Sequence, residues 1–485
     1  MFDTIIVGRD LSSLIAAMVS SRNGHKALLV TEGDQEMEHR DAGYVFPVDP
    51  MPLSGLREEQ TFGRLRRELR LEPDETPEAL LMDPALQIAL PAHRIDLFCE
   101  REKLIADMIR EFPRQEREIR CFYRAVGKAA ASIERLIDKG RDRQRHGCRA
   151  ILPGLFHFLA LAGNWLSLLV CKMGNAATFQ KVVDAQLAVL SHLHADGVPY
   201  PLAAAYLLSL PQRGLYYPCG GRAAWMNRLR KSFTDAGGAM INDCTVMRVD
   251  TTPEINIDIE KAGESSTLRG RRLIVSAQWE KLKPLLLQQK NFKRLAYQLN
   301  ALRPVAYPFY LHLGVREGGL PEKLAPYAIW IRDQTRPLID GNLVYIQTSR
   351  PDEKERAPEG RRTLSATVFL EKSPVMLTDQ ELNDVAKAVI DSLEGLLPFL
   401  RESIDYVNIE KSISLSRRSQ ETVNQKYRTR KWMTAGVNTL SPITPLSNVF
   451  LTGGVLRAGL GFEGEILAGM DAALLAAREG KNDGL

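Results

Sequence analysis

The sequence predicts an α/β fold in which a parallel sheet is assembled from distant stretches, with helices and antiparallel strands inserted between them. Three observations carry this. An apolar run, a glycine turn and a small-residue helix open the chain and lead into a second apolar run. Alternating runs cluster near 245–277 and again between 306 and 371. A last apolar run with a glycine-rich turn into a long apolar helix closes the chain.

Residues 3–8 read as a buried strand and 11–21 as a helix with Ser12, Ser13, Ala16 and Ala17 among its small residues. Asn23-Gly24 ends the helix, and 26–32 is the second strand. A strand, turn, helix and strand in about thirty residues is the size of a parallel crossover unit. From about 60 to 210 the chain reads as mostly helical, with amphipathic stretches such as 97–112. The runs 245–250, 255–260 and 273–277 lie close together and alternate, as in an antiparallel meander. The runs 306–315, 341–349 and 362–371 predict a second sheet, followed by a helix over 379–397. The charged stretch 354–362 reads as a solvated loop. Residues 448–454 form the last strand, and 465–477 the closing helix.

Composition sets limits. A chain of 485 residues exceeds one small core, and 45% apolar with 25% charged residues is ordinary for an ordered globular protein. A net charge of +5 does not by itself call for nucleic acid. Six cysteines with no Cys-x-x-Cys pair suit a reducing compartment and argue against disulfides and structural zinc. The first strand starts within three residues, which leaves no room for a secretory signal, so the expected location is cytoplasmic.

Residues 151–170 contain no Asp, Glu, Lys or Arg, and four arginines (Arg141, Arg143, Arg145, Arg149) precede them. Pro153, Gly154, His157, Gly163 and Asn164 weigh against a true span. A buried helix, and a helix dipping into the inner leaflet with its arginines at anionic headgroups, both remain open.

The opening turn carries the first chemistry. A dinucleotide cradle needs a tight glycine turn, donors at a helix N-terminus, close helix–strand packing and an acidic residue ending the second strand. Gly8 supplies the turn, Ser13 is small enough for the packing, and Glu32 stands where a ribose would be held. Asp10 opposes binding, because its Cβ blocks backbone approach and its carboxylate faces a dianionic pyrophosphate. At about 5 Å and an effective dielectric of about 20, Coulomb repulsion is roughly 3 kcal/mol per charge pair. Asp10 is also a good helix N-cap and competes for the amides a phosphate would use. Arg9 offsets part of this if its side chain reaches the phosphates.

Three later blocks, in order, support a resemblance. Gly43-Tyr-Val-Phe-Pro-Val-Asp-Pro50, then Tyr217-Pro-Cys-Gly-Gly221 with the stretch up to Val249, then 449–469 with Gly453-Gly454 and Ala458-Gly-Leu-Gly-Phe-Glu-Gly464. Together with the opening turn they resemble the phytoene desaturase-like and amine oxidase-like FAD-dependent oxidoreductases. The resemblance implies a Rossmann-like FAD/NAD(P)-binding domain, 1–70, 210–290 and 430–485, with an inserted α+β substrate domain of 71–209 and 291–429. It implies that Gly8, Arg9, Ser12 and Ser13 meet the pyrophosphate, Glu32 the ribose and Val246 the adenine. It also implies that Gly453 and Gly454 lie by the ribityl chain, with Gly459, Gly461 and Phe462 near the flavin pyrimidine. The implied reaction is oxidation of an apolar, isoprenoid or carotenoid-like substrate at a membrane surface, a hydride passing to flavin and a proton to base or solvent.

Departures accompany the resemblance. Gly454 stands where the family has an aspartate, Pro47 where an aspartate is usual and Asp49 where a glycine is usual. One reading makes Asp10 the substitute for the carboxylate missing at Gly454. The alternative from another class is a non-catalytic, flavin-less member of this fold acting as a binding or assembly partner. Other flavin chemistry, such as amine oxidation or isomerisation, is a further reading. No residue identifies itself as the catalytic acid or base.

Weaker signals give little. His192 and His194 lack a third ligand at metal spacing. The basic run 426–432 reads as a solvated or membrane-facing patch rather than a nucleic-acid site. His312 and the aromatics of 306–315 suit either a tunnel wall or ordinary sheet core. No serine-nucleophile elbow or P-loop is present.

Overall fold

In the computed structural model, residues 1–33, 37–71, 79–146, 177–194, 201–279, 281–282, 292–421, 425–429 and 437–482 are described. The segment 151–170 lies outside them. Among the described residues no helix is long and apolar enough to cross a membrane.

The first sheet holds β1 (Phe2–Val7), β2 (Ala27–Glu32), β3 (Ala239–Asp250), β4 (Ile255–Lys261), β5 (Glu264–Ser276) and β6 (Val449–Thr452). Five of these strands are parallel, in the order β3-β2-β1-β5-β6. The register Val30–Val7–Val275–Leu451 brings the ends of β2, β1, β5 and β6 to one carboxyl edge. Helix α1 (Leu11–Arg22) returns the chain from β1 to β2. Strands β3, β4 and β5 also form the expected antiparallel meander.

Strands covered on both faces read as continuous apolar runs. Ile6, Leu29, Ile274 and Phe450 pack with Leu14 and Ile15 of α1 and Ile466 and Met470 of α2 (Gly461–Asn482). Ile5, Val7, Leu28, Val30 and Val275 pack against Val249, Ile255, Ile257 and Ile259 of the meander. The small residues of α1 allow α2 to approach closely. A Cβ on Gly469 would lie 2.3 Å from the Ser12 carbonyl oxygen and 2.9 Å from Ile15 Cβ.

The second sheet has eight strands and is antiparallel except where Ala328–Trp330 runs beside Gln87–Ala89. Its long strands, Leu302–Arg316, Arg361–Leu370 and Leu343–Thr348, are those expected from alternation. One face packs on the helix Asp379–Leu393 through Leu382, Ala386 and Val389. The other faces the helices Arg101–Glu111 and Glu116–His146 through Tyr327, Ile329 and Tyr345.

The stretch expected to be mostly helical departs in one place. Ala79–Leu81, Leu86–Leu90 and His93–Leu97 are strands, and the predicted amphipathic helix begins only at Arg101. These short strands extend sheets made elsewhere, so pairing partners rather than local period decide them. The loop 354–362 is less solvated than its charges suggest. Arg356 is buried with its guanidinium on the Val45 carbonyl, and Arg362 is buried on the Ser349 carbonyl.

Gly469→Ala is expected to cost about 1–3 kcal/mol in urea unfolding through overpacking of α1 against α2. Gly127→Ala meets open space within the helix Glu116–His146 and is expected to be neutral or stabilising by up to about 1 kcal/mol.

Candidate functional site: a nucleotide-type cradle beside a buried charged junction

At the carboxyl edge of the parallel sheet, Asp10 caps α1. Its Oδ1 accepts from Ser13 N at 2.8 Å and Ser13 Oγ at 3.1 Å, and its Oδ2 accepts from Ser276 Oγ at the end of β5. Burial raises its pKa, against the hydrogen bonds from Ser276 and Ser13, which favour the carboxylate. Gly8 is required by the same cluster, since a Cβ there would lie 2.3 Å from Ser13 Oγ and 2.8 Å from Ser276 Cβ. Its φ of 153° adds a second constraint.

Glu32, at the end of β2, is also engaged. It accepts from Val246 N at 2.6 Å, from Lys281 Nζ at 2.8 Å and from Trp279 Nε1. Two expected adenosine contacts, Glu32 and the Val246 amide, are therefore bonded to each other. The space left between Gly8, Arg9, Asp10, Glu32 and Trp279 is about 20 Å³. Ligand pockets run to several hundred Å³. As placed, these residues do not fit an adenine dinucleotide.

Several of the remaining expected cofactor residues have packing roles. Gly453 has a φ of 117°, and a Cβ on it would lie 3.3 Å from Ser276 Oγ. Gly454 opens the short helix Gly454–Leu460, which contains Gly459. Gly461 has a φ of 55°, and a Cβ there would lie 2.1 Å from the Leu190 carbonyl oxygen. Phe462 is buried against Trp225, with ring centroids 5.6 Å apart. Ser12 is buried under Gly469.

A charged junction lies between the head of α2 and the second sheet. Glu465 accepts from His192 Nε2 at 3.1 Å and Arg222 Nη2 at 3.0 Å, and Arg222 Nη1 also donates to Asp49. Burial works to raise Glu465, but Arg222 and His192 bring its pKa below the ordinary carboxylate value. Asp49 is raised by burial, with Arg222 opposing. Two residues earlier, buried Glu463 accepts from Thr61 Oγ1 at 2.6 Å, Tyr206 OH at 2.7 Å and Arg213 Nη2 at 3.2 Å. Opposite Asp49, the buried Lys426 donates to the Val189 and Ser191 carbonyl oxygens. Burial pushes its pKa down to about 7, so it can hold or release a proton near neutrality. It shares a cavity of about 20 Å³ with Asp49, Tyr310 and Thr367. The hydroxyls of Tyr310 and Thr367 are buried there without a hydrogen-bond partner.

A larger cavity, of about 280 Å³, lies next to the cradle and shares Gln278 and Trp279 with it. Leu282, Leu299, Leu302, Leu440 and Val455 form its apolar wall, Gln278, Gln420, Gln425 and Tyr427 its polar part, and no Asp or Glu is among the described residues lining it.

Several expectations are revised here. The run 426–432 does not begin as a solvated patch, because Lys426 is only 4% exposed. His192 belongs to the ion network, and no metal-binding cluster occurs among the described residues. His312 is sheet core: it meets Ser365 Oγ at 3.0 Å and stacks on Phe46, and burial lowers its pKa to about 3. Asp10 places its oxygens on Ser13 and Ser276 within the cradle. Sequence reasoning missed Arg222, Glu463, Glu465 and Lys426. The available signal was two glutamates in the first turn of an otherwise apolar helix.

No protein-family model matches the chain, and no curated protein matches it in sequence. Solved structures do match over nearly its whole length. An oxidoreductase from Methanosarcina mazei is 12% identical with a TM-score of 0.59, covering 96% of this chain and 99% of that one. Cyclohexylamine oxidase from Brevibacterium oxydans is 14% identical with a TM-score of 0.57, covering 99% of each. The chain shares its overall fold with these oxidoreductases. A Rab GDI from Plasmodium falciparum shares this fold at 10% identity and a TM-score of 0.53, covering 97% of each chain. An amine oxidase-like fold alone therefore does not assign a reaction.

Arg222→Met leaves Asp49 and Glu465 buried without their cation and is expected to cost about 3–5 kcal/mol in urea unfolding. Lys426 gives a pH signature. Its folded pKa lies below the ordinary 10.5, so between about 7 and 10.5 the unfolded chain binds more protons than the folded one. Stability therefore rises with pH across that window. The midpoint of thermal unfolding is expected to rise from pH 7 to pH 9 relative to that of Lys426→Met.

Proposed function

We propose that the chain is an oxidoreductase of the flavoprotein type that dehydrogenates an apolar, isoprenoid-like substrate. The observation that carries the reading is the 280 Å³ cavity abutting the cradle, where leucines and a valine stand with Gln278, Gln420, Gln425 and Tyr427 and no carboxylate is among the described lining residues. A cationic amine would meet neutral amide and phenol oxygens there and no described carboxylate to balance its charge, whereas a hydrocarbon chain brings no charge to balance. Oxidoreductases and oxidases with this fold add support. Removing two hydrogens from a C–C bond yields a hydride equivalent and a proton, and a bound flavin supplies a two-electron acceptor for such chemistry. Lys426, neutral or charged near pH 7, is the buried group suited to proton traffic at the junction.

The proposed source of such a substrate is a membrane surface, met through the uncharged stretch 151–170. A second reading has one specific observation behind it: Asp10 bonded to Ser276 across the cradle favours a flavin-less binding protein.

The test is anaerobic absorbance spectroscopy at saturating FAD. Bleaching of flavin by a polyene or isoprenoid, with none by putrescine, is the expected result. No bleaching by any apolar substrate, together with quenching of tryptophan fluorescence by the same compound, would establish the second reading. Flotation with anionic liposomes, and its loss on replacing Arg141, Arg143, Arg145 and Arg149 by glutamine, checks the membrane contact.

A further inference from the structure

We propose that this chain holds its nucleotide cradle shut with its own carboxylates. Asp10 and Glu32 clasp the turn after β5, and flavin binds only by displacing them. The inference rests on the oxidoreductase reading and adds how the cofactor is admitted.

Two clasps meet on one segment. Asp10, at the head of α1, takes the Ser276 hydroxyl. Glu32, at the tip of β2, takes the Trp279 indole N–H and the Lys281 ammonium. Both carboxylates therefore run from the opening βαβ unit to residues that follow β5 or end it, Ser276, Trp279 and Lys281, beside the carboxyl edge of the sheet. Nucleotides bind at that edge in open α/β sheets.

Each clasp also copies part of a ligand. Asp10 places an anionic oxygen on the Ser13 amide at the head of α1, as a phosphate would. Trp279 and Lys281 offer Glu32 the donors that ribose hydroxyls would supply. The space left, about 20 Å³, has room for a water and not for an adenosine.

An incoming dinucleotide must therefore break both sets of charge-assisted bonds, and its phosphates must meet the Asp10 carboxylate. Asp10→Gly removes the competing anion and its bond to Ser276 and keeps an acceptable N-cap residue. Trp279→Ala removes the indole half of the second clasp and leaves both Asp10 and the Lys281 bond to Glu32 in place.

The experiment is titration of FAD into the full-length wild type and the two variants, followed by quenching of flavin fluorescence, with circular dichroism melting to confirm that each form is folded. Asp10→Gly is expected to bind at least about tenfold more tightly than wild type, with Trp279→Ala tighter than wild type as well. Equal affinities, weaker binding by Asp10→Gly, or wild type purified with stoichiometric FAD would overturn the clasp while leaving the oxidoreductase reading intact. Tighter binding by Asp10→Gly, with no bleaching of its flavin by any apolar substrate, would support the clasp and end the oxidoreductase reading. No binding by any form would end both.

Discussion

The carboxyl edge of the parallel sheet depends on how the amides at the head of α1 are satisfied. A helix N-terminus presents orphan N–H groups and a partial positive charge, and some acceptor has to meet them. Here the acceptor is covalently part of the chain. Asp10 meets the Ser13 amide and reaches across to Ser276, so one side chain both caps α1 and ties β1 to the end of β5. The fit of Gly8 against Ser13 and Ser276 follows from the same contact. The glycine that would admit a phosphate in a nucleotide-binding turn here admits two serines.

A second constraint sits at the head of α2. Glu463 and Glu465 are both buried there, each with an arginine and further donors. Carboxylates suit a helix N-terminus, but their desolvation cost is met only because Thr61, Tyr206, Arg213, His192 and Arg222 converge from other elements. That arrangement fixes where the helices carrying Tyr206 and Arg222 stand relative to α2. It also connects, through Arg222 and Asp49, to the cavity containing Lys426. Position and chemistry are thus linked by one chain of charge.

The opening βαβ unit was legible because period, turn residues and small-residue packing all agree over residues 3–32, and local agreement of that kind survives tertiary context. The N-capping role of Asp10 was legible for the same reason. Its second partner was not, because Ser276 lies 266 positions away and nothing around it marks a donor. Lys426 shows the opposite failure. Its neighbours Arg428, Arg430 and Lys431 make the run look solvated, yet pairing of Lys426–Thr429 with the strand Leu302–Arg316 turns this lysine inward. The strands at 79–97 escaped because their partners, not their own period, make them strands.

Trp279 joins these features. Its indole N–H is held by Glu32 at the cradle, and the residue also lines the apolar cavity alongside Leu282 and Leu299. An occupant on either side has to contend with the same aromatic wall. If the indole leaves Glu32, the cradle gains space and the cavity changes shape in the same movement. Two spaces that share one well-packed side chain cannot both be reshaped independently of it, since such a side chain has discrete places to go rather than a continuum. The departures at Asp10 and at the turn after β5 therefore amount to more than erosion of a fingerprint. They bring the cradle and the apolar cavity together at Gln278 and Trp279.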